Sequence, residues 1–152
     1  IEYLASGLEC RVIFLDHLSI LLSGLDGDER RMIDSTMTRL RSLVERTGIT
    51  LFLVSHLRRS NSDSNSHEEG GRVSLGQLRG SHSISQISDC VIALERDQQS
   101  EDSNNTTTVR VLKNRHSGEV GVATRLDYDL STCKFYENKT TEQPEFDPTV
   151  DF

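Results

Sequence analysis

The run Val12-Ile13-Phe14-Leu15-Asp16-His17 constrains this chain more than any other stretch. Four apolar residues lead directly into an acid, and polar residues with a glycine-bearing segment follow. A short unbroken apolar run bounded in this way predicts a parallel strand buried on both faces. An aspartate at the carboxyl end of such a strand stands where open α/β sheets bind their ligands. Its ordinary task there is to hold Mg²⁺ through water beside a nucleotide's phosphates. Taken alone, the same residues also describe a core strand followed by a capping or turn aspartate.

A second run, Ile49-Thr50-Leu51-Phe52-Leu53-Val54, ends in Ser55-His56, and one helix separates it from the first. Strand, helix and strand form a right-handed crossover, which makes the strands parallel and puts both carboxyl ends on one edge. Asp16 and His56 are therefore expected at a common crevice. The intervening helix carries Ile33, Met37, Leu40 and Val44 at spacings of four, three and four, a clear apolar stripe. Asp26 or Asp28 can cap its start, Glu29 favours its positive end and Gly48 ends it. Arg30, Arg31, Arg39 and Arg41 lie mostly off the stripe, as a solvated face.

The remaining segments read more simply. Ile1 to Leu8 looks like the end of a helix, which suggests a piece of a longer protein. Leu18 to Gly27 reads as a loop. The stretch from Leu57 to Arg72 is rich in Ser, Asn, Gly and charge, too long and polar for a simple connection. Arg58, Arg59 and Arg72 are its candidates for phosphate contact. His67-Glu68-Glu69 has no partner spacing that would support a metal site. Ser74 and Gln77 form a capping-box pair before a short helical turn, and a further helix runs through Ile84 and Ile87 to Asp89. Cys90 to Leu94 and Thr106 to Leu112 are expected as buried strands. Gly118 to Gly121 reads as a hairpin turn, with Val122 to Tyr128 and Lys134 to Tyr136 as an antiparallel edge.

Composition bounds the function. At 152 residues the chain is long enough to bury a real core. The net charge of −7 argues against a generally basic nucleic-acid binder. The last sixteen residues hold five acids and one lysine, however, so −4 belongs to the tail and −3 to the body. Cys10, Cys90 and Cys133 are odd in number and widely spaced, which suits buried or free thiols in a reducing cytoplasm. No apolar run approaches a membrane span and no basic-then-apolar leader opens the chain. A phosphate-cradling Walker A loop ends in Gly-Lys-Ser/Thr, and no Gly-Lys pair occurs here.

Several blocks in order now carry a resemblance: Ile13-Phe14-Leu15-Asp16-His17, Asp28 to Asp34, Leu78-Arg79-Gly80-Ser81, Ile87-Ser88-Asp89 and Ile92-Ala93-Leu94-Glu95-Arg96. From Val12 to Phe152 the chain resembles the helicase half of the bifunctional primase-helicases of short-tailed bacteriophages. Bacterial replicative ring helicases and their mitochondrial counterpart are more distant kin. The resemblance implies an α/β fold, the later part of a RecA-like P-loop NTPase core. Its features would be a mostly parallel sheet flanked by helices, an antiparallel hairpin at the end and a disordered acidic tail. Residues 1–137 would belong to the helicase domain and residues 138–152 to the tail, with the Walker A loop upstream.

The resemblance also implies roles. Asp16 matches the Walker B acid that positions Mg²⁺ through water. His17, not a glutamate, follows it, and the family's catalytic glutamate lies on an earlier strand, so this chain alone is expected to be inactive. His56 matches a γ-phosphate sensor, since a neutral imidazole can donate one hydrogen bond. Gln86 matches a second sensor. Arg115, with Lys113 nearby, matches the arginine finger that reaches a neighbouring subunit's γ-phosphate. Arg79 to Asp89 looks like the loop and helix that touch single-stranded DNA, with Arg79, Gly80 and Ser81 foremost. Ser85 replaces an expected basic residue, so contact there is expected to be weaker or shifted to Arg58 and Arg79. The substrate would be ATP or dTTP.

The implied whole is a hexameric ATP-dependent DNA helicase of the infected host's cytoplasm. It would move 5′ to 3′ on single-stranded DNA and unwind duplex at the fork. Its tail, ending in Phe152, would dock the replicative DNA polymerase. A RecA-like strand-exchange ATPase and a non-enzymatic, decayed RecA-like module are the competing expectations.

Overall fold

The computed structural model describes residues 1–22, 27–58, 66–78, 82–101 and 103–138. The chain divides into two compact units, Ile1–Asn61 with Ser74–Val91, and Ser62–Val73 with Ile92–Phe152.

The first unit opens with one π-helical turn, Tyr3–Gly7, where a helix end was expected. Strand β1 spans Val12–Leu15 and β2 spans Thr50–Leu53. They pair in parallel, Val12 with Thr50 through Leu15 with Leu53, as the crossover required. The segment after Asp16, read as a loop, forms a short helix, α1 (Leu18–Leu22). Its Leu18 and Leu22 are buried, and their spacing of four is one helical turn, too short a stripe to stand out. Helix α2 (Glu29–Thr47) starts where Asp28 accepts a hydrogen bond from the Arg30 N–H at 2.9 Å. It ends at Gly48, whose φ of 68° is left-handed. Asp26 lies outside the described residues.

The stripe on α2 is buried as expected at Ile33, Met37 and Leu40. These residues pack with Leu18, Leu22, Leu78 and with Ile84 of α3 (His82–Ile87). Arg41 departs from the solvated-face reading. Its guanidinium meets Glu45 and Asp89, each at 2.7 Å, and so ties α2 to the residue just before the strand at Cys90–Arg96. A 3₁₀ turn at Leu75–Gln77 follows Ser74, whose N–H donates to Gln77 Oε1 at 2.7 Å.

The expectation that β1 is covered on both faces is corrected. Ile13 is buried, but Val12 is 53% and Phe14 72% exposed. The reason lies in the packing: Leu15, Leu51 and Leu53 pack against the α1–α2–α3 core. The alternate side chains, with period two, point the other way. On that open face the Phe14 and Phe52 rings stack at 4.6 Å.

Strand β3 spans Cys90–Arg96 and leads into a four-stranded sheet of order β3-β4-β5-β6, with β4 at Thr106–Asn114, β5 at Gly121–Asp129 and β6 at Lys134–Glu137. The β4–β5 and β5–β6 pairs are antiparallel. The parallel share of the structure is therefore smaller than expected. The connections over 115–120 and 130–133 are too short for a crossover, which dictates antiparallel neighbours. Nor is β3 buried throughout: Ala93 and Glu95 are buried, while Ile92 and Leu94 are 55% and 69% exposed. All three cysteines are free thiols, with Cys90 and Cys133 exposed.

Candidate functional site

In the first unit the register of β1 and β2 brings two polar tips together. Asp16 is the first residue beyond β1, and Val54-Ser55-His56 continue beyond β2. Two backbone hydrogen bonds fix this edge, Val54 N–H to Leu15 O and Leu18 N–H to Val54 O, both at 3.0 Å. The His17 and His56 rings meet edge to face, with centroids 4.1 Å apart and planes 65° apart. The expected convergence of the two strand tips is thus seen, with Asp16 adjoining the histidine pair. Asp16 and His56 are exposed, open to a ligand, whereas His17 is half-buried and its Nδ1 is buried without a hydrogen-bond partner among the described residues.

His17 is the member of this group that sequence reasoning does not single out, since it stands there only as the residue in place of a glutamate. The signal was present, because parallel pairing aligns the first residues beyond each strand and both tips carry an imidazole.

Gln86 lies exposed on α3 in the same unit. Arg58 is exposed and its backbone N–H donates to Gln77 O at 2.8 Å. An antiparallel bridge joins Leu57, the residue before Arg58, to Leu78. Arg79, Gly80 and Ser81, like Arg59, lie outside the described residues, as does Phe152 with the tail from 139 onward.

The second unit carries Arg115 and Lys113. Lys113 is in β4, and Arg115 is exposed, one residue beyond it. The turn is built by Asn114. Its Oδ1 accepts from the His116 N–H at 3.0 Å, its Nδ2 donates to Ser117 Oγ at 2.7 Å, and its carbonyl accepts from the Gly118 N–H at 2.9 Å. An arginine on a turn closed by three such bonds is displayed with little backbone freedom, which suits a projecting cation.

The chemistry of the first site can be tested against a metal. Mg²⁺ keeps most of its water and takes one or two carboxylates plus substrate phosphates, not an all-protein cage. An exposed Asp16 carboxylate fits that habit. No group of three or more potential ligands gathers among the described residues, so a metal caged by side chains is not what these residues build.

The α/β architecture has a solved counterpart. The chain is similar to a solved ATPase domain of another protein, with a TM-score of 0.63 and 23% identity, over 82% of this chain and 43% of that one. The chain belongs to the DnaB-like helicase C-terminal domain family, whose pattern matches residues 3–137. It is 44% identical over 133 residues to the DNA helicase/primase of Enterobacteria phage T3, a match that covers 87% of this chain and 23% of that protein. The chain thus spans about a quarter of that relative's length. No helix among the described residues is long and apolar enough to cross a membrane.

Proposed function

We propose that this chain is part of the motor of a phage replicative primase-helicase, an enzyme that hydrolyses ATP or dTTP to unwind DNA. The observation that carries this reading is the contact of the His17 and His56 rings, with Asp16 beside His17 in the chain, at the carboxyl edge of the parallel β1–β2 pair. Family membership and the likeness to a phage helicase/primase support it.

Mg²⁺, when bound, neutralises charge on the nucleotide's β- and γ-phosphates. Asp16 would hold it through water. His56 donates one N–H toward the γ-phosphate, and the edge of His17 fixes the plane of that ring. Gln86 reports phosphate occupancy to the DNA-binding segment through its amide. Arg115, held by the Asn114 turn and aided by Lys113, reaches the γ-phosphate of a neighbouring subunit and stabilises charge in the transition state. Arg58 with Arg79, Gly80 and Ser81 contacts single-stranded DNA. This division of labour requires adjacent subunits, and we propose a hexameric ring that moves 5′ to 3′ in the cytoplasm of the infected host. The acidic tail, with Phe152 at its end, docks the replicative DNA polymerase.

Steady-state kinetics of the full-length protein test the reading. Asp16→Ala and His56→Ala should each lower DNA-stimulated turnover by at least about 10²-fold while leaving the fold intact. Turnover within about twofold of wild type for both variants would refute the assignment.

A further inference from the structure

The cation that the motor reading sends across a subunit boundary is presented by the residue before it. Arg115 follows β4, and the last register pair of β4 with β5, Val111 with Gly121, falls short of it. The backbone at Arg115 is ordered by the turn itself. We propose that Asn114 is a positioning residue for nucleotide hydrolysis, whose amide sets the direction in which Arg115 projects. This inference rests on the reading of Arg115 as the finger.

The direction of a side chain at its Cα is set by the two peptide planes that flank it, because φ and ψ are the only soft backbone dihedrals. Asn114 holds both planes around Arg115. The plane before Arg115 carries the Asn114 carbonyl, which accepts from the Gly118 N–H at 2.9 Å. The plane after it carries the His116 N–H, which donates to Asn114 Oδ1 at 3.0 Å. The same oxygen accepts from the Ser117 N–H at 3.3 Å. The other end of the amide is used as well. Its Nδ2 donates to Ser117 Oγ at 2.7 Å, and that oxygen accepts from the Glu119 N–H at 3.2 Å. Gly118 closes the turn with a φ of 78°, a left-handed conformation that glycine adopts without steric cost.

This arrangement calls for asparagine by its chemistry. Aspartate would supply the acceptor but not the Nδ2 donor, and it would place a negative charge one residue from the cation. A serine hydroxyl makes the first of these bonds more weakly, and alanine makes none. An asparagine in a surface turn ordinarily does no more than close it. Here the residue enclosed by its bonds is an exposed arginine, whose long side chain must find a phosphate on another subunit. A displacement of about 1 Å at such a contact costs on the order of 10²-fold in rate.

The test uses the full-length protein as Asn114→Ala, Asn114→Ser, Arg115→Ala and Asn114→Ala/Arg115→Ala. DNA-stimulated hydrolysis is followed by release of radiolabelled phosphate, long enough to quantify weak variants. Nucleotide binding is measured separately, with circular dichroism as the check on folding. Asn114→Ala should lower kcat about 10- to 10²-fold with nucleotide affinity kept within about twofold, and Asn114→Ser should fall between it and wild type. On the Arg115→Ala background the Asn114 change should cost nothing further, because it acts through the arginine. The serine variant, which keeps one bond, carries the same cycle if the alanine variant unfolds. Asn114→Ala with kcat within about twofold of wild type, while Arg115→Ala is impaired, overturns the proposal and leaves the finger reading standing. A loss that persists in full on the Arg115→Ala background, or that falls equally on binding and kcat, marks a general structural role and overturns it as well. Normal turnover in Arg115→Ala is instead the failure of the finger reading, and it takes the proposal with it.

Discussion

Arg110→Met in the full-length protein examines the physics that supports the second unit. Arg110 and Glu95 have side-chain exposures of 16% and 6%, and three hydrogen bonds link them. Burial by itself raises the Glu95 pKa. The Arg110 hydrogen bonds, the Val73 N–H and the charges of Arg110 and Arg72 outweigh it and hold the carboxyl below its ordinary value. Removing Arg110 while keeping its volume strands that charge. Breaking one side of a buried pair costs about 3–5 kcal/mol, and the residual exposure here puts the cost near ~3 kcal/mol. Hydrogen exchange of peptides covering residues 90–114 should then speed by about two decades at neutral pH.

The pH dependence has a definite sign. A carboxyl whose folded pKa is depressed stabilises fully above its unfolded value, about 4.3, and loses that contribution as pH falls through the folded pKa. Wild type should therefore weaken locally below about pH 4. In Arg110→Met burial is opposed only by Val73 and Arg72, so that acid-side loss should disappear. Glu95→Leu/Arg110→Met should recover most of the stability, because an apolar replacement leaves no unpaired charge. A neutral-pH cost below about 1 kcal/mol for Arg110→Met, or an unchanged acid profile, would refute the reasoning.

Arg115→Ala in the full-length protein should lower hydrolysis by roughly 10³- to 10⁵-fold with nucleotide binding largely kept, and mixing with an Asp16→Ala variant should restore some turnover; normal turnover would place the finger elsewhere, Lys113 first, since Arg110 is held by Glu95. The purified 152-residue chain should show no DNA-stimulated turnover, and measurable turnover would contradict the absence of a Gly-Lys phosphate loop from its sequence. Phe14→Ala in the full-length protein should cost no more than about 1.5 kcal/mol by thermal unfolding, since Phe14 is 72% exposed and loses chiefly its stacking on Phe52; a loss above about 3 kcal/mol would mean that this face is covered. Removing Phe152 should spare ATPase and unwinding but weaken polymerase binding in a salt-sensitive way, and equal affinity in a polymerase titration would leave the tail as a solubiliser only.

What the sequence made legible follows from what periodicity can encode. The α2 stripe was readable because polar residues separate Ile33, Met37, Leu40 and Val44, and its boundaries were readable because Asp28 and Gly48 have distinct local chemistry. The two faces of β1 were not separable, because all four of its residues are apolar and alternation leaves no mark on a uniform run. The Glu95–Arg110 pair lies fifteen residues apart across neighbouring strands, and no local pattern announces such a partner. The cavity lined by Arg72, Arg96, Arg110 and Arg125 was invisible for the same reason, since its lining comes from four separate stretches of chain.

The β1–β2 edge shows where sequence reasoning succeeds and where it stops. Strand order and crossover handedness place Asp16 and His56 at one edge without any side-chain information, because parallel strands end together. Which groups then touch depends on where each chain turns after its strand. Here α1 begins two residues beyond Asp16, and the Leu18 N–H is drawn to the Val54 carbonyl. In that turn the His17 ring lies against His56. Asp16 is exposed at this edge, and the next side chain, His17, lies against the neighbouring strand's tip. The residue after the strand-end acid is read here as a positioning group, not as a missing catalytic base. Substituting His17 with Phe keeps a ring edge against His56 and should retain more turnover than His17→Ala, which removes it. Equal turnover in the two variants would mean that the ring contact does not position His56.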